Sequence, residues 1–188
     1  MVDQANEGLL SPFLQKKRFK FAIKEVSGKV LDFGSGNGGL CEFIETSNYI
    51  GYEIDQDSIK IAKEQYKDHY FINKLDEINI NFDSVALIAV IEHLDNPEST
   101  LIEIINHQKS SKRLKIIITT PNKYFEYFHH MGAKIGLFSQ HAEHEHNVLY
   151  TKKSLKELAK KLNLNLLMYK RFLFGANQIC VFEKKINN

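Results

Sequence analysis

The sequence predicts an α/β fold of the doubly wound kind, with a mostly parallel seven-stranded sheet and an antiparallel hairpin at its C-terminal end. Three observations predict it. Short apolar runs alternate with amphipathic stretches from residue 30 onward. One of the runs, residues 84–91 (SVALIAVI), is apolar almost throughout, as suits a central parallel strand covered on both faces. The last two β-prone segments, 164–174 and 177–185, meet around Gly175-Ala176, the pattern of a hairpin.

Each element has its own signal. Residues 11–27 read as an amphipathic helix, with Pro12 in the first turn and Phe19, Ala22, Ile23 and Val26 at helical spacing. Val30-Leu31-Asp32-Phe33 is a strand that stops at Gly34, and a helix is predicted over 38–47, with Leu40, Phe43, Ile44 and Ser47 on one face. A second strand covers 49–53. Asp55 then opens a helix whose inner face carries Ile59, Ala62 and Tyr66. A weak third strand falls at 69–73. After the apolar fourth strand, Asn96-Pro97-Glu98 supplies an N-cap, a proline at the first helical position and an early acid. The fifth strand is 114–119, ended by Pro121, and Thr151 caps a helix bearing Leu155, Leu158, Ala159 and Leu162. Strands alternating with helices wind as right-handed crossovers onto one sheet. Residues 1–188 are therefore expected to form one domain, with an N-terminal helix at 11–27 and an insertion at 122–150 on the acceptor side of the sheet.

Composition narrows the partners. Apolar residues make up 43% and charged residues 26%, a globular mix, and the formal net charge of +2 carries no field that would draw in nucleic acid or a membrane surface. The run Lys16-Lys17-Arg18 reads as the solvated face of a helix. Two cysteines, Cys41 and Cys180, stand in apolar surroundings without CxxC spacing, consistent with a reducing compartment. No apolar run approaches the roughly 20 residues of a membrane span. Residues 1–10 lack the basic start and apolar stretch of a secretion signal, so a cytoplasmic location is expected.

The chemistry concentrates around Gly34-Ser35-Gly36-Asn37-Gly38-Gly39. Glycines there let backbone pass close to a ligand at the carboxyl edge of the sheet, where open α/β sheets bind. Glu53 follows about 20 residues later, the place from which a carboxylate reaches ribose hydroxyls. The spacing fits the GxGxxG of dinucleotide binders only by force. Asp32, two residues before the first glycine, suits a ligand carrying a cationic amino group better than a pyrophosphate. No Lys-Ser/Thr pair follows, which excludes a P-loop.

These residues also carry a family resemblance. VLDFGSGNG resembles motif I of class I S-adenosylmethionine-dependent methyltransferases, of the small-molecule, ubiquinone-biosynthesis type. Gly51-Tyr52-Glu53-Ile54-Asp55 resembles their acidic second motif. Phe82-Asp83-Ser84-Val85 through Glu92-His93-Leu94 resembles their fourth-strand region, Thr120-Pro121-Asn122 the end of their fifth strand, and the stretch from His144 to Thr151 the segment before their late helix. The resemblance implies a methyltransferase using S-adenosyl-L-methionine. It assigns Asp32, Gly34, Ser35 and Gly36 to the methionine end, Glu53 to the ribose hydroxyls, Ile54 to the adenine face and Asp76 to the adenine amino group. Val90, Ile91 and Glu92 would line the pocket near the sulfonium.

The acceptor is expected to be a small molecule or glycan precursor, methylated at oxygen. Methyl transfer is an in-line displacement that needs donor and acceptor held collinear, and a base only where the acceptor is a hydroxyl. His146, His93 and Glu92 are the candidate catalytic groups. Hydroxyl-directed relatives that bind a metal use Glu-x-x-Glu-His here, but Ala89 replaces the first Glu, so no metal is expected. Two alternatives stay open: a 3′-terminal 2′-O-methyltransferase of RNA, and a protein that binds the cofactor without turnover. Part of the aromatic stretch at 124–138 is expected to line the acceptor pocket, and the rest to pack between helix and sheet.

Overall fold

A computed structural model of the chain describes residues 11–78, 81–108, 113–123 and 149–184. Four helices and seven strands make up the described core: α1 (Ser11–Ala22), β1 (Val30–Phe33), β2 (Tyr49–Tyr52), α2 (Gln56–Gln65), β3 (Tyr70–Ile72), β4 (Ser84–Ile88), α3 (Pro97–His107), β5 (Lys115–Pro121), α4 (Lys152–Lys161), β6 (Leu164–Phe172) and β7 (Asn177–Lys184). The sheet runs in the order β3-β2-β1-β4-β5-β7-β6. The first five strands pair in parallel, and β7 slots antiparallel between β5 and β6. This is the seven-stranded, Rossmann-like arrangement with a closing hairpin that the sequence predicts.

Packing follows from which residues are apolar on which side. Phe19 of α1 and Ile59 and Ala62 of α2 pack with Val30, Tyr49 and Phe71 on one face. Ala22 of α1 meets Ile117, Ile179 and Val181 on the same side. Leu101 and Ile104 of α3 and Leu155 and Ala159 of α4 cover the other face with Leu31, Val85, Leu87, Ile116 and Ile118. Both faces of β1 and β4 are thereby buried, which is why these strands read as continuous apolar runs rather than as alternation.

The helix ends keep to their sequence signals. Asp55 accepts from the Ser58 amide, Asn96 from the Ser99 amide, and Thr151 with Ser154 closes a reciprocal capping box on α4. Asp83 has a purely structural role: its carboxylate accepts from the Lys29 amide (2.9 Å) and fills the space beside Gly28 that a Cβ would need.

Two expected helices differ. The helix over 11–27 ends at Ala22, because the chain turns through Gly28 at φ +60° to enter β1. The helix over 38–47 is not an α-helix: Gly39–Phe43 and Thr46–Asn48 form separate short 3₁₀ turns. Its start follows a left-handed Gly38, and Thr46-Ser47-Asn48 offers backbone-competing side chains where a third turn would have to form. Leu40 and Cys41 are buried while Phe43 is exposed.

Strand order reverses between β1 and β4, so a crevice opens at their carboxyl ends. The glycine turn leaves β1 there, and Ala89-Val90 leaves β4 beside it.

Candidate cofactor and acceptor site

The glycine turn is anchored on β2. The amides of Gly34 and Ser35 both donate to the Tyr52 carbonyl, at 2.8 and 2.9 Å. Gly34 (φ +76°) has no room for a side chain, since a Cβ would stand 2.6 Å from a Val90 methyl. Gly36 (φ +52°) is the opposite case: a Cβ there would meet nothing within 4 Å. The turn packs tightly against β4 at its base and is open at its crest.

Glu53 faces that crest. One carboxylate oxygen accepts from the Gly36 amide at 2.8 Å, and the other accepts from the amides of Ile54 (2.8 Å) and Asp55 (2.9 Å). A carboxylate offers about four acceptor positions. Three are used, and the oxygen facing Gly36 keeps one for a ligand hydroxyl. The side chain is buried, so it is held rigidly across the gap between the ends of β1 and β2.

Asp32 lies beneath the turn, and the Tyr49 hydroxyl donates to its carboxylate at 2.8 Å. Burial pushes the Asp32 pKa up from 3.8 to about 7; the Tyr49 hydrogen bond opposes the rise and the Glu53 charge adds to it. An acid whose native pKa is raised binds its proton more tightly folded than unfolded. Stability should therefore fall as pH rises from about 4 to about 7 and level off above, by on the order of 4 kcal/mol in all. Asp32→Asn removes that term, so the variant should melt above the wild type at pH 8 and close to level with it at pH 4. Parallel melting curves at the two pH values would refute this.

The remaining predicted residues divide. Ile54, 64% exposed, stands free beside Glu53 as an apolar platform. Val90 is buried against Gly34, while Ile91 is fully buried in the core cluster under α3. Asp76 sits in a 3₁₀ turn after β3 with its side chain 97% exposed, 3.9 Å from His107 of α3. Ser35 Oγ is buried. His146 and the aromatic stretch lie outside the described residues.

Glu92 and His93 follow β4 in a 3₁₀ turn. Glu92 is 0% exposed. Burial raises its pKa, and the nearby Arg18 charge, His93 and the Thr120 hydroxyl only partly oppose the rise. Ala89, just before, adopts φ +58°, a left-handed conformation that costs a non-glycine residue roughly 1–2 kcal/mol.

Sequence reasoning missed two groups. Tyr49 reaches Asp32 diagonally across β1 and β2, which only the Val30–Tyr49 register reveals. Arg18, read as part of a solvated face, donates through Nε to Asn177 Oδ1 at 2.8 Å. Nothing at Tyr49 marks its contact, and the charge run that includes Arg18 points to solvent rather than to Asn177. Cys41 and Cys180 are buried free thiols pushed up to about 12 by burial, and so are unsuited to nucleophilic attack. Among the described residues no three His, Cys, Asp or Glu side chains cluster as metal ligands, and no helix is long and apolar enough to cross a membrane.

A glycine turn at the switch point, open at its crest and faced by a buried carboxylate, defines an α/β domain of the nucleoside-binding class. Residues 6–169 match the family described as methyltransferase domain. The chain belongs to that family, and is a class I S-adenosylmethionine-dependent methyltransferase. No curated protein matches it.

Several solved structures share the fold. Magnesium protoporphyrin IX methyltransferase from Synechocystis PCC 6803, with bound SAH, is 12% identical at a TM-score of 0.68, covering 94% of this chain and 85% of that one. A SAM-dependent methyltransferase from Thermotoga maritima, described as a possible histamine N-methyltransferase, is 16% identical at 0.69, covering 93% and 90%. The methyltransferase domain of bacterial CtHen1-C is 19% identical at 0.63, covering 91% and 98%.

Proposed function

We propose that the chain transfers the methyl group of S-adenosylmethionine to an oxygen of a small molecule or glycan precursor, in the cytoplasm, with the insertion at 122–150 on the acceptor side. The observation that carries the reading is the Glu53–Gly36 hydrogen bond beside an open glycine crest. The residues present fit the cofactor. The hollow over Gly36 accommodates a ligand backbone, Glu53 retains an acceptor position for ribose, and Ile54 offers a flat apolar contact for the base. Asp32 and the buried Ser35 hydroxyl answer the amino-acid end, while Asp76, 97% exposed after β3, is the candidate for the adenine amino group.

Two carboxylates on this side favour a cationic ligand and repel a pyrophosphate. The single 3₁₀ turn after the glycines gives no α-helical N-terminus to hold one. When bound, the cofactor supplies an activated methyl on a sulfonium. The chain's part is to orient it, keep water out and present the acceptor oxygen in line. Where the acceptor is a hydroxyl, His93, Glu92 and His146 are the candidates to take its proton.

Thermal shift separates this reading from a dinucleotide enzyme. S-adenosylhomocysteine at about 100 times its Kd should add about 2.7 kcal/mol and raise the melting midpoint by roughly 5–10 °C. NAD at equal concentration should leave it unmoved. A shift with NAD and none with S-adenosylhomocysteine would overturn the assignment.

A further inference from the structure

The Tyr49 side chain joins the apolar core to the floor of the glycine turn. Its ring is 2% exposed and packs with Phe19, Leu40 and Phe71. It makes edge contacts with the rings of His69 and Phe71, with centroids 5.6 Å away in each case. A phenylalanine would fill that place equally well. What the hydroxyl adds is its 2.8 Å bond to Asp32 Oδ2, and the Ser35 hydroxyl faces the same phenolic oxygen as a donor. Two residues further along β2, a Cβ on Gly51 would stand 3.0 Å from Ser35 Oγ and 2.4 Å from Phe71, so glycine at 51 is what lets both sit there. Three segments, β1, β2 and the glycine turn, thus meet around one oxygen.

Chemistry fixes the direction of the bond. An ionised carboxylate can only accept, so the phenol O–H points at Asp32 and stabilises its charge. Burial and the Glu53 charge work against the Asp32 anion, and the Tyr49 bond works for it. The other titratable neighbours supply no cation of their own toward Asp32. Cys41, pushed up to about 12, stays a neutral thiol. His69 packs against the Tyr49 ring, while its Nε2 lies 3.5 Å from both the Ile44 carbonyl and Thr46 Oγ1. An anion held in this way, with no cation among these neighbours, is matched to a ligand that brings one.

Resting on the methyltransferase reading, we propose that Tyr49 is a positioning residue for the cofactor: its hydroxyl fixes the Asp32 carboxylate as the counter-charge for the ammonium group at the methionine end of S-adenosylmethionine. Tyr49 acts through Asp32, from within the core. Without the hydroxyl, the carboxylate loses the bond that favours its charged form, so a higher pH is needed to ionise it. The nucleoside end, met by Glu53 and the glycine crest, does not depend on that charge. Removing one oxygen atom from the core therefore weakens binding in a pH-dependent way, and only for a ligand that carries the ammonium group.

Calorimetric titration of the full chain between about pH 5.5 and 8 tests this with two probes: S-adenosylhomocysteine, which carries the ammonium group, and 5′-methylthioadenosine, which lacks the amino-acid end. In the wild type, affinity for S-adenosylhomocysteine should climb with pH and level off above about 7, where Asp32 is ionised. Tyr49→Phe should move that climb upward by about one pH unit, so that affinity near pH 6 falls about tenfold. The same variant should bind 5′-methylthioadenosine within about twofold of the wild type at every pH. Asp32→Asn should bind S-adenosylhomocysteine weakly and without any climb, and adding Tyr49→Phe to it should weaken binding no further. Equal losses for the two probes, or a loss that is the same at every pH, would make Tyr49 a packing residue and overturn the proposal. A climb that persists in Asp32→Asn would overturn it too. Failure of S-adenosylhomocysteine to bind the wild type would instead remove the methyltransferase reading on which it rests.

Discussion

Gly36→Phe is expected to weaken S-adenosylmethionine binding at least about 100-fold, a loss of about 2.7 kcal/mol or more, while the protein still folds. The two halves of that expectation have separate causes. Gly36 has φ +52°, so any side chain costs roughly 1–2 kcal/mol in the folded state. No atom lies within 4 Å of the Cβ position, so no steric clash adds to that cost at the first carbon. The ring must extend into the open crest, where the cofactor would lie. Gly36→Ala should fall between, with the same backbone penalty and a small part of the obstruction. Gly34 offers the contrasting control, because a Cβ at 2.6 Å from Val90 injures the fold itself. Calorimetric unfolding beside ligand titration distinguishes the two. Unchanged affinity in Gly36→Phe would mean the hollow is not the cofactor site.

The second large effect is expected at Glu53. Its two oxygens accept from three amides on two segments, so it ties the glycine turn to the end of β2 and presents a charge to the ligand at once. Glu53→Gln keeps the shape and removes half of the accepting capacity. Whichever way the amide turns, its N–H₂ faces a backbone N–H, at Gly36 or at Ile54 and Asp55. A buried donor left without an acceptor costs about 1–3 kcal/mol, and the lost charge weakens the ribose contact further. Binding should drop by roughly 10–100-fold, with a measurable fall in melting temperature. Loss of affinity with stability intact would place Glu53 at the ligand alone; loss of stability with affinity intact would make it a structural tie.

The sheet was legible because burial on both faces writes itself into sequence as continuous apolar runs, as in Ser84–Ile88 and Val30–Phe33. The closing hairpin was legible for a different reason: two β-prone segments flank Gly175-Ala176 and cannot both run parallel. The capping residues Asp55, Asn96 and Thr151 announce their helices locally, since the bond they make spans only three residues. The segment over 38–47 misled, because apolar spacing reports which residues face inward and not whether the turn that carries them is α or 3₁₀.

The site was legible to the same extent. Asp32, the glycines and Glu53 are close in sequence to the strand ends that place them, so spacing alone predicts their meeting. Tyr49 on Asp32 and Arg18 on Asn177 depend on register and on the path of α1 across the sheet. Positions 18 and 177 are 159 residues apart, and nothing in either neighbourhood points to the other. Ile91 shows the converse limit: its place after β4 suggests a pocket wall, while the core takes its side chain entirely.

The cradle between the glycine crest and the Glu53 carboxylate is tested most directly by calorimetric titration of the wild-type chain with S-adenosylmethionine. One site per chain with a Kd in the micromolar range is predicted, with heat that depends on the buffer near pH 7 because a cationic ligand drives the proton off Asp32. Absence of saturable binding at millimolar ligand, in a protein that unfolds cooperatively, would contradict it.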